Sequence, residues 1–102
     1  MIKVSVLYPN NGKSFNMDYY LAHHMPMVKR LVGDACKSMA VEQGLAGGMP
    51  GTPATYIAMG HLYFDSVEAF QASFMANSAE ILGDIPNYTP IEPIVQISEV
   101  KM

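Results

Sequence analysis

Charge is scarce in this sequence. Only 15% of its 102 residues are Asp, Glu, Lys or Arg, against roughly 25% in an ordinary soluble domain. The six Lys and Arg residues are scattered, and the formal net charge is −3. With no basic patch, nucleic acid and anionic membrane are poor partners. Long apolar runs are missing too, since none approaches the roughly 18 residues of a membrane span. The opening "MIKVSVLYP" enters a strand pattern with no signal-peptide layout, so a cytoplasmic protein is expected. Cysteine occurs once, at Cys36, which excludes an intrachain disulfide. No histidine stands beside it in sequence, and it reads as a small, half-buried structural residue.

Apolar residues are plentiful. They make up half the chain, and nine of them are methionine, an adaptable lining for irregular cores and apolar pockets. A chain of this length forms one domain, residues 1–102, burying roughly two-thirds of the surface it exposes when unfolded.

The apolar pattern gives the element order. Ile2, Val4, Val6 and Tyr8 alternate with Lys3, Ser5 and Leu7, which is a strand. "PNNGKS" is a loop. Ser14 or Asn16 then caps a helix with Asp18 in its first turn. This helix is expected to run toward Met25, break at Pro26 and resume through Leu31 to Gly33. Residues 37–43 make a weaker strand, a Gly/Pro loop follows, and "YIAMGHLYF" (56–64) is a clear strand. Asp65, with Glu68 three residues on, is the expected cap of a helix carrying Val67, Phe70 and Phe74 on one face. Asn77 with Glu80 signals a shorter helix ending at Gly83. "DIPNYTP" is a turn and "IEPIVQISEV" the last strand. The fold class is therefore α+β: a ferredoxin-like βαββαβ chain with a four-stranded antiparallel sheet and both helices on one face. The third strand is apolar on both sides, with Ile57, Met59, His61 and Tyr63 facing one way and Tyr56, Ala58, Leu62 and Phe64 the other. A half-covered antiparallel sheet should alternate instead. A homodimer through the sheet face is the simplest cover.

Several motifs fail on spacing. "NGKS" lacks the glycine a phosphate loop needs five positions before Gly12, where Leu7 stands. Gly44, Gly47, Gly48 and Gly51 join two strands and never give the dinucleotide spacing; they read as a mobile hairpin connection or a flap beside a pocket mouth. His23 and His24 are adjacent, diverge by about 100° on a helix, and cannot share one metal ion. No cofactor is called by these residues, although a haem held by a single histidine stays compatible with them.

Helical geometry singles out one histidine. Met17, Tyr20, Leu21, His24, Met27, Val28 and Leu31 form one apolar stripe, with His24 near its centre. Asn16, Tyr19, His23 and Arg30 fall opposite. Tyr20 and His24 are i and i+4 and should touch. Carbonyls left free before Pro26 would favour an imidazolium and burial the neutral ring, which together suit proton transfer near neutral pH. The alternative is a core histidine satisfied by a carbonyl or a tyrosine. His61 reads as an interface residue, and Tyr88 as a tyrosine packed against its own turn.

The segments "DYYLAHHMPMV", "LYFDSVEAFQASF" and "AEILGDIPNYTPIEPIVQISEV" together resemble the EthD family over most of the chain. The family's tyrosine pair, histidine, methionine and proline fall on Tyr19, Tyr20, His24, Met25 and Pro26, with His23 extra. Its aspartate, isoleucine, proline, asparagine and aromatic run falls on Asp84, Ile85, Pro86, Asn87 and Tyr88. The resemblance implies a dimeric α+β barrel, sheet against sheet, and a bacterial catabolic setting linked to a cytochrome P450 system that degrades an alkyl ether. Family members are often labelled reductases, but no nucleotide motif here supports a nicotinamide-dependent reaction.

The expected function is that of a small enzyme or accessory protein acting on a small apolar or aromatic molecule. Its pocket would lie between helices and sheet, lined by Tyr8, Tyr20, Met27 and Phe70, with His24 transferring the proton. A non-catalytic carrier of a pathway intermediate and a haem-binding protein are the other readings.

Overall fold

The alternation of Ile2, Val4, Val6 and Tyr8 produces the strand that organises the molecule. In a computed structural model describing residues 1–102, strand β1 (Ile2–Pro9) is central in a four-stranded sheet. Its companions are β2 (Cys36–Gln43), β3 (Tyr56–Phe64) and β4 (Ile94–Glu99), in the order β2-β3-β1-β4 with every neighbour antiparallel. Between β1 and β2 the chain forms α1 (Met17–Tyr19), a π-helical turn (Tyr20–His24) and α2 (Met25–Val32). After β3 come α3 (Val67–Met75) and α4 (Ser78–Asp84). This is the expected ferredoxin-like α+β arrangement. On the helix side of the sheet Val4, Leu62 and Phe64 pack with Val28, Val32 and Ile81; full burial of such side chains contributes roughly 1.5–3 kcal/mol each. No helix is long and apolar enough to cross a membrane.

Two helix starts differ from expectation. Ser66, not Asp65, caps α3, its hydroxyl accepting from the Ala69 N–H at 3.1 Å. Asn77 precedes α4 without capping it. Its amide instead donates to the carbonyls of Leu31 and Ser73 at 3.0 and 2.9 Å, tying α2 to α3.

The expected break at Pro26 does not occur. Met25 keeps helical angles (φ −63°, ψ −41°), and its N–H bonds the Tyr20 carbonyl five residues back. A normal turn would drive the pyrrolidine ring into the carbonyl four residues earlier; the wider π turn makes room for it. One extra residue in a turn also rotates the following helix face by about 100°. The inward stripe accordingly becomes Tyr20, His24, Met25, Val28 and Val32, all buried, while Leu21 is 51% exposed.

Gly60 on β3 lies beneath the same turn. A Cβ there would run into the hydroxyl of Tyr20, which is itself buried. Gly60→Ala is expected to force Tyr20 aside at an overpacking cost of about 1–3 kcal/mol, lowering Tm by roughly 4–8 °C for each kcal/mol. Gly83→Ala in α4, where nothing lies within 4 Å of the added carbon, is the control. Equal melting curves for both variants would show that Tyr20 is not held by this contact.

The open face of the sheet is less apolar than β3 alone suggests. Leu7, Ile57, Met59 and Ile94 cluster toward one end, but a polar row crosses the middle. His61 contacts Ser5 Oγ through Nδ1 at 2.9 Å and Glu42 Oε1 through Nε2 at 2.7 Å. Gln96 stands opposite Ser5 on β4. Strand β4 is exposed along most of its length, Ile94, Val95 and Ile97 included.

Candidate functional site

The site forms where the π turn meets a segment sixty residues further along the chain. After α4 the chain makes a tight 3-10 turn (Ile85–Asn87), opened by Pro86 with its preset φ. The Tyr88 carbonyl accepts from the Asn16 N–H at 2.8 Å, and the Thr89 hydroxyl donates to the Ser14 carbonyl at 2.7 Å. These bonds fix residues 84–89 against the start of the helix whose cap, Asn16, accepts from the Tyr19 N–H. Asp84, Tyr19, Tyr88 and His24 are thereby held together.

His24 is 4% exposed, and both its ring nitrogens are accounted for. Nδ1 lies 2.8 Å from Asp84 Oδ2. Nε2 lies 3.3 Å from the Tyr88 hydroxyl, which is also 2.7 Å from the Tyr8 hydroxyl. The Tyr20 ring stacks on the imidazole, centroids 5.5 Å apart. Asp84 is steadied in turn: Tyr19 donates to its Oδ1 at 2.7 Å and Asn87 at 2.9 Å. With a carboxylate on Nδ1, the stable neutral tautomer carries its proton there, and Nε2 is left as the acceptor.

Burial pushes the His24 imidazole below its ordinary value, against the upward pull of Asp84. Burial alone would raise the Asp84 carboxyl, but hydrogen bonds from Asn87, His24 and Tyr19 outweigh it and hold the group below the usual range. The phenols of Tyr8, Tyr20 and Tyr88 are pushed well up, chiefly by burial. At neutral pH the cluster therefore holds one carboxylate, a neutral imidazole and neutral phenols.

Stability follows from these directions. Unfolded histidine and aspartate take up protons below about 6.5 and 3.8, whereas His24 and Asp84 resist until lower pH. The unfolded chain thus binds more protons there, and stability falls stepwise with acid. Above about 10 unfolded tyrosine ionises while the three buried phenols do not, so stability falls again. Urea midpoints against pH should show a plateau between these edges, and His24→Gln should remove the upper step of the acid edge. An acid edge unchanged in that variant would mean another group sets it.

Beside the dyad lies a cavity of about 430 Å³ between sheet and helices, lined by nineteen residues of which sixteen are hydrophobic. Tyr8, Tyr20, His24 and Phe70 are among them. Met27 is not: the rotation introduced by the π turn carries it aside, and Met25 lines the cavity in its place. The exposed side chains of Met75, Leu82 and Val95 rim the opening. His61 sits on the opposite face of the sheet, in the polar row. His23 is exposed, its ring 5.0 Å from that of Tyr19.

Three members of the cluster were not placed by local pattern. Tyr88 does not merely pack on its own turn; it is buried against His24 and Tyr8. Tyr19, which helical geometry set on the outer side, reaches Asp84. Asp84 itself carried no local signal, and only the aspartate-to-aromatic run of the family resemblance pointed toward it. No group of three or more His, Cys, Asp or Glu side chains converges as a metal site would require.

The arrangement can accept a proton at Nε2, hold it as an imidazolium against Asp84, and offer phenolic donors to a nearby oxygen. Comparison with known proteins agrees with the fold. The EthD domain profile matches residues 12–90. The crystal structure of an EthD-like protein from Ralstonia eutropha JMP134 is 50% identical, with a TM-score of 0.94 over 99% of this chain and 92% of that one. An ethyl tert-butyl ether degradation (EthD) family protein from Bacillus halodurans C-125 shares 17% identity and a TM-score of 0.69 over 99% of both chains. HapK from Hahella chejuensis shares the fold at 10% identity, with a TM-score of 0.62 over 100% of this chain and 95% of that one. Among curated proteins none matches.

Proposed function

The chain belongs to the EthD family, and on that premise we propose that it is a small catabolic enzyme that moves a proton on a small apolar or aromatic molecule. His24 is the general base, Asp84 positions it, and the ligand occupies the cavity lined by Tyr8, Tyr20 and Phe70. The single observation that carries this reading is a buried imidazole whose Nδ1 is held by a carboxylate at 2.8 Å while the ring lines a largely apolar cavity. A general base needs a fixed tautomer and an acceptor nitrogen within reach of the ligand, and the carboxylate on Nδ1 supplies the first of these.

Solvent-deuterium exchange into the α-carbon of tetralone or phenylacetone, followed by NMR, tests the assignment. The protein should accelerate exchange beyond an equal concentration of free imidazole. Tight binding with no acceleration would replace the enzyme with a carrier of a pathway intermediate. Haem fits poorly, because an iron on Nε2 would need the place of the Tyr88 hydroxyl, 3.3 Å away.

The working unit is a homodimer through the open sheet face. Half-buried Ile57, Met59 and Leu7 and exposed Ile94 favour association, since burial contributes roughly 25 cal/mol per Å². Light scattering at micromolar concentration should give the mass of two chains; a stable monomer would overturn the dimer without touching the base assignment.

A further inference from the structure

Resting on the cavity and base just described, we propose that the site selects ligands that arrive uncharged and carry one exchangeable proton, namely phenols, enols and enolisable ketones, and that it turns away carboxylates of the same shape. The selection follows from the charges at the cavity. None of the nineteen lining residues is Lys, Arg, Asp or Glu, so nothing there is fixed to balance a ligand's charge. The one charge in contact with His24 is negative, on Asp84, 2.8 Å away.

An uncharged acid leaves that total unaltered. Its O–H or C–H bond breaks, the proton goes to Nε2, and the electron pair stays on the ligand as phenolate or enolate. The new imidazolium lies between two anions, Asp84 and the ligand, and the net charge of the group remains one negative. A carboxylate would instead bring a second negative charge into an apolar cavity beside the first. Relief would require His24 to be protonated beforehand, which burial opposes.

Tyr88 supplies the exchange of partners that this transfer needs. Its contact with Nε2 is long, 3.3 Å, whereas that with Tyr8 is 2.7 Å. The weaker contact is the one a ligand proton displaces. Once Nε2 holds a proton it no longer accepts from Tyr88, and the phenols that line the cavity, Tyr8 and Tyr20, are the donors available to the oxygen where charge has appeared. The Tyr88 hydroxyl thus occupies the base when the cavity lacks a ligand, and the lining phenols stabilise the anion when it holds one.

Three ligands of one ring system separate charge from shape: a naphthol, its methyl ether and the corresponding naphthoate. Affinities for the wild-type protein are measured by fluorescence at neutral pH. Naphthol should bind about fivefold to tenfold more tightly than the ether, the worth of one hydrogen bond, and naphthoate at least about tenfold more weakly than the ether. In His24→Leu the advantage of naphthol over the ether should vanish. Naphthoate binding as tightly as naphthol would overturn the selection yet leave a cavity that binds aromatics. Binding by none of the three would overturn the cavity reading, and the selection with it.

Discussion

His24→Gln should abolish exchange of the ketone α-proton while leaving the melting curve nearly in place. Glutamine approximates the imidazole in size and can still donate to Asp84, so the half-buried carboxylate keeps a partner. It cannot take up a proton near neutrality. Loss of a positioned general base typically costs 10²–10⁴-fold in rate, far above the scatter from small packing changes. His23→Gln, one residue away but exposed, should alter stability by less than about 0.5 kcal/mol and leave the rate unaltered. Both variants are assayed in heavy water beside thermal denaturation. If His24→Gln lowers Tm and spares the exchange rate, the histidine is a packing residue, and the base assignment fails.

Asp84→Asn is the second large effect, and it acts through His24. The amide can present its NH₂ to Nδ1, which would place the imidazole proton on Nε2 and leave no lone pair facing the ligand. A loss of the order of 10²–10⁴-fold is expected, as for other carboxylates that orient a histidine base. The pH profile distinguishes orientation from support of the fold. Asp84 raises the His24 pKa against the effect of burial, so its neutralisation should carry the acid limb of the remaining activity to lower pH. A merely structural Asp84 would lower the amount of folded protein and leave that limb where it was. Tyr19→Phe, which removes one of the two donors to Oδ1, should cost no more than about tenfold.

The strands were legible because period-two alternation is dictated by each strand's own residues and their two faces. Residues 56–64 are the clearest case, predicted and observed with the same ends. His24 as the inward histidine was legible for the same reason, since a helix turn keeps its faces in local register. What local pattern could not supply was the partner of that histidine. Asp84 lies sixty residues away, and nothing in the spacing of residues 14–33 encodes what packs against them. The path of the helix past Pro26 was misread because proline's local preference was allowed to decide. The wider turn ahead of it relieves the clash at the level of tertiary packing, and Met25 rather than Met27 comes to line the cavity as a result.

The open sheet face shows the converse error, in which one strand stood for a whole surface. Strand β3 is apolar on both sides, but its neighbours contribute Ser5, Glu42 and Gln96 to the same face. A partner chain packed on this face would have to accommodate a polar row beside the apolar end.

The wide turn between Tyr20 and Met25, which carries His24, is a matter of count and not of composition. Exposed residues there, such as Ala22 or His23, are chemically dispensable but numerically required. Removing either and letting the helix settle into its regular repeat would leave Met25, Val28 and Val32 in line with Tyr20, while His24 would become the third residue after Tyr20 instead of the fourth, shifting it relative to Asp84. The outer letters of this turn make no contact with Asp84, whereas its length sets where His24 stands relative to that carboxylate.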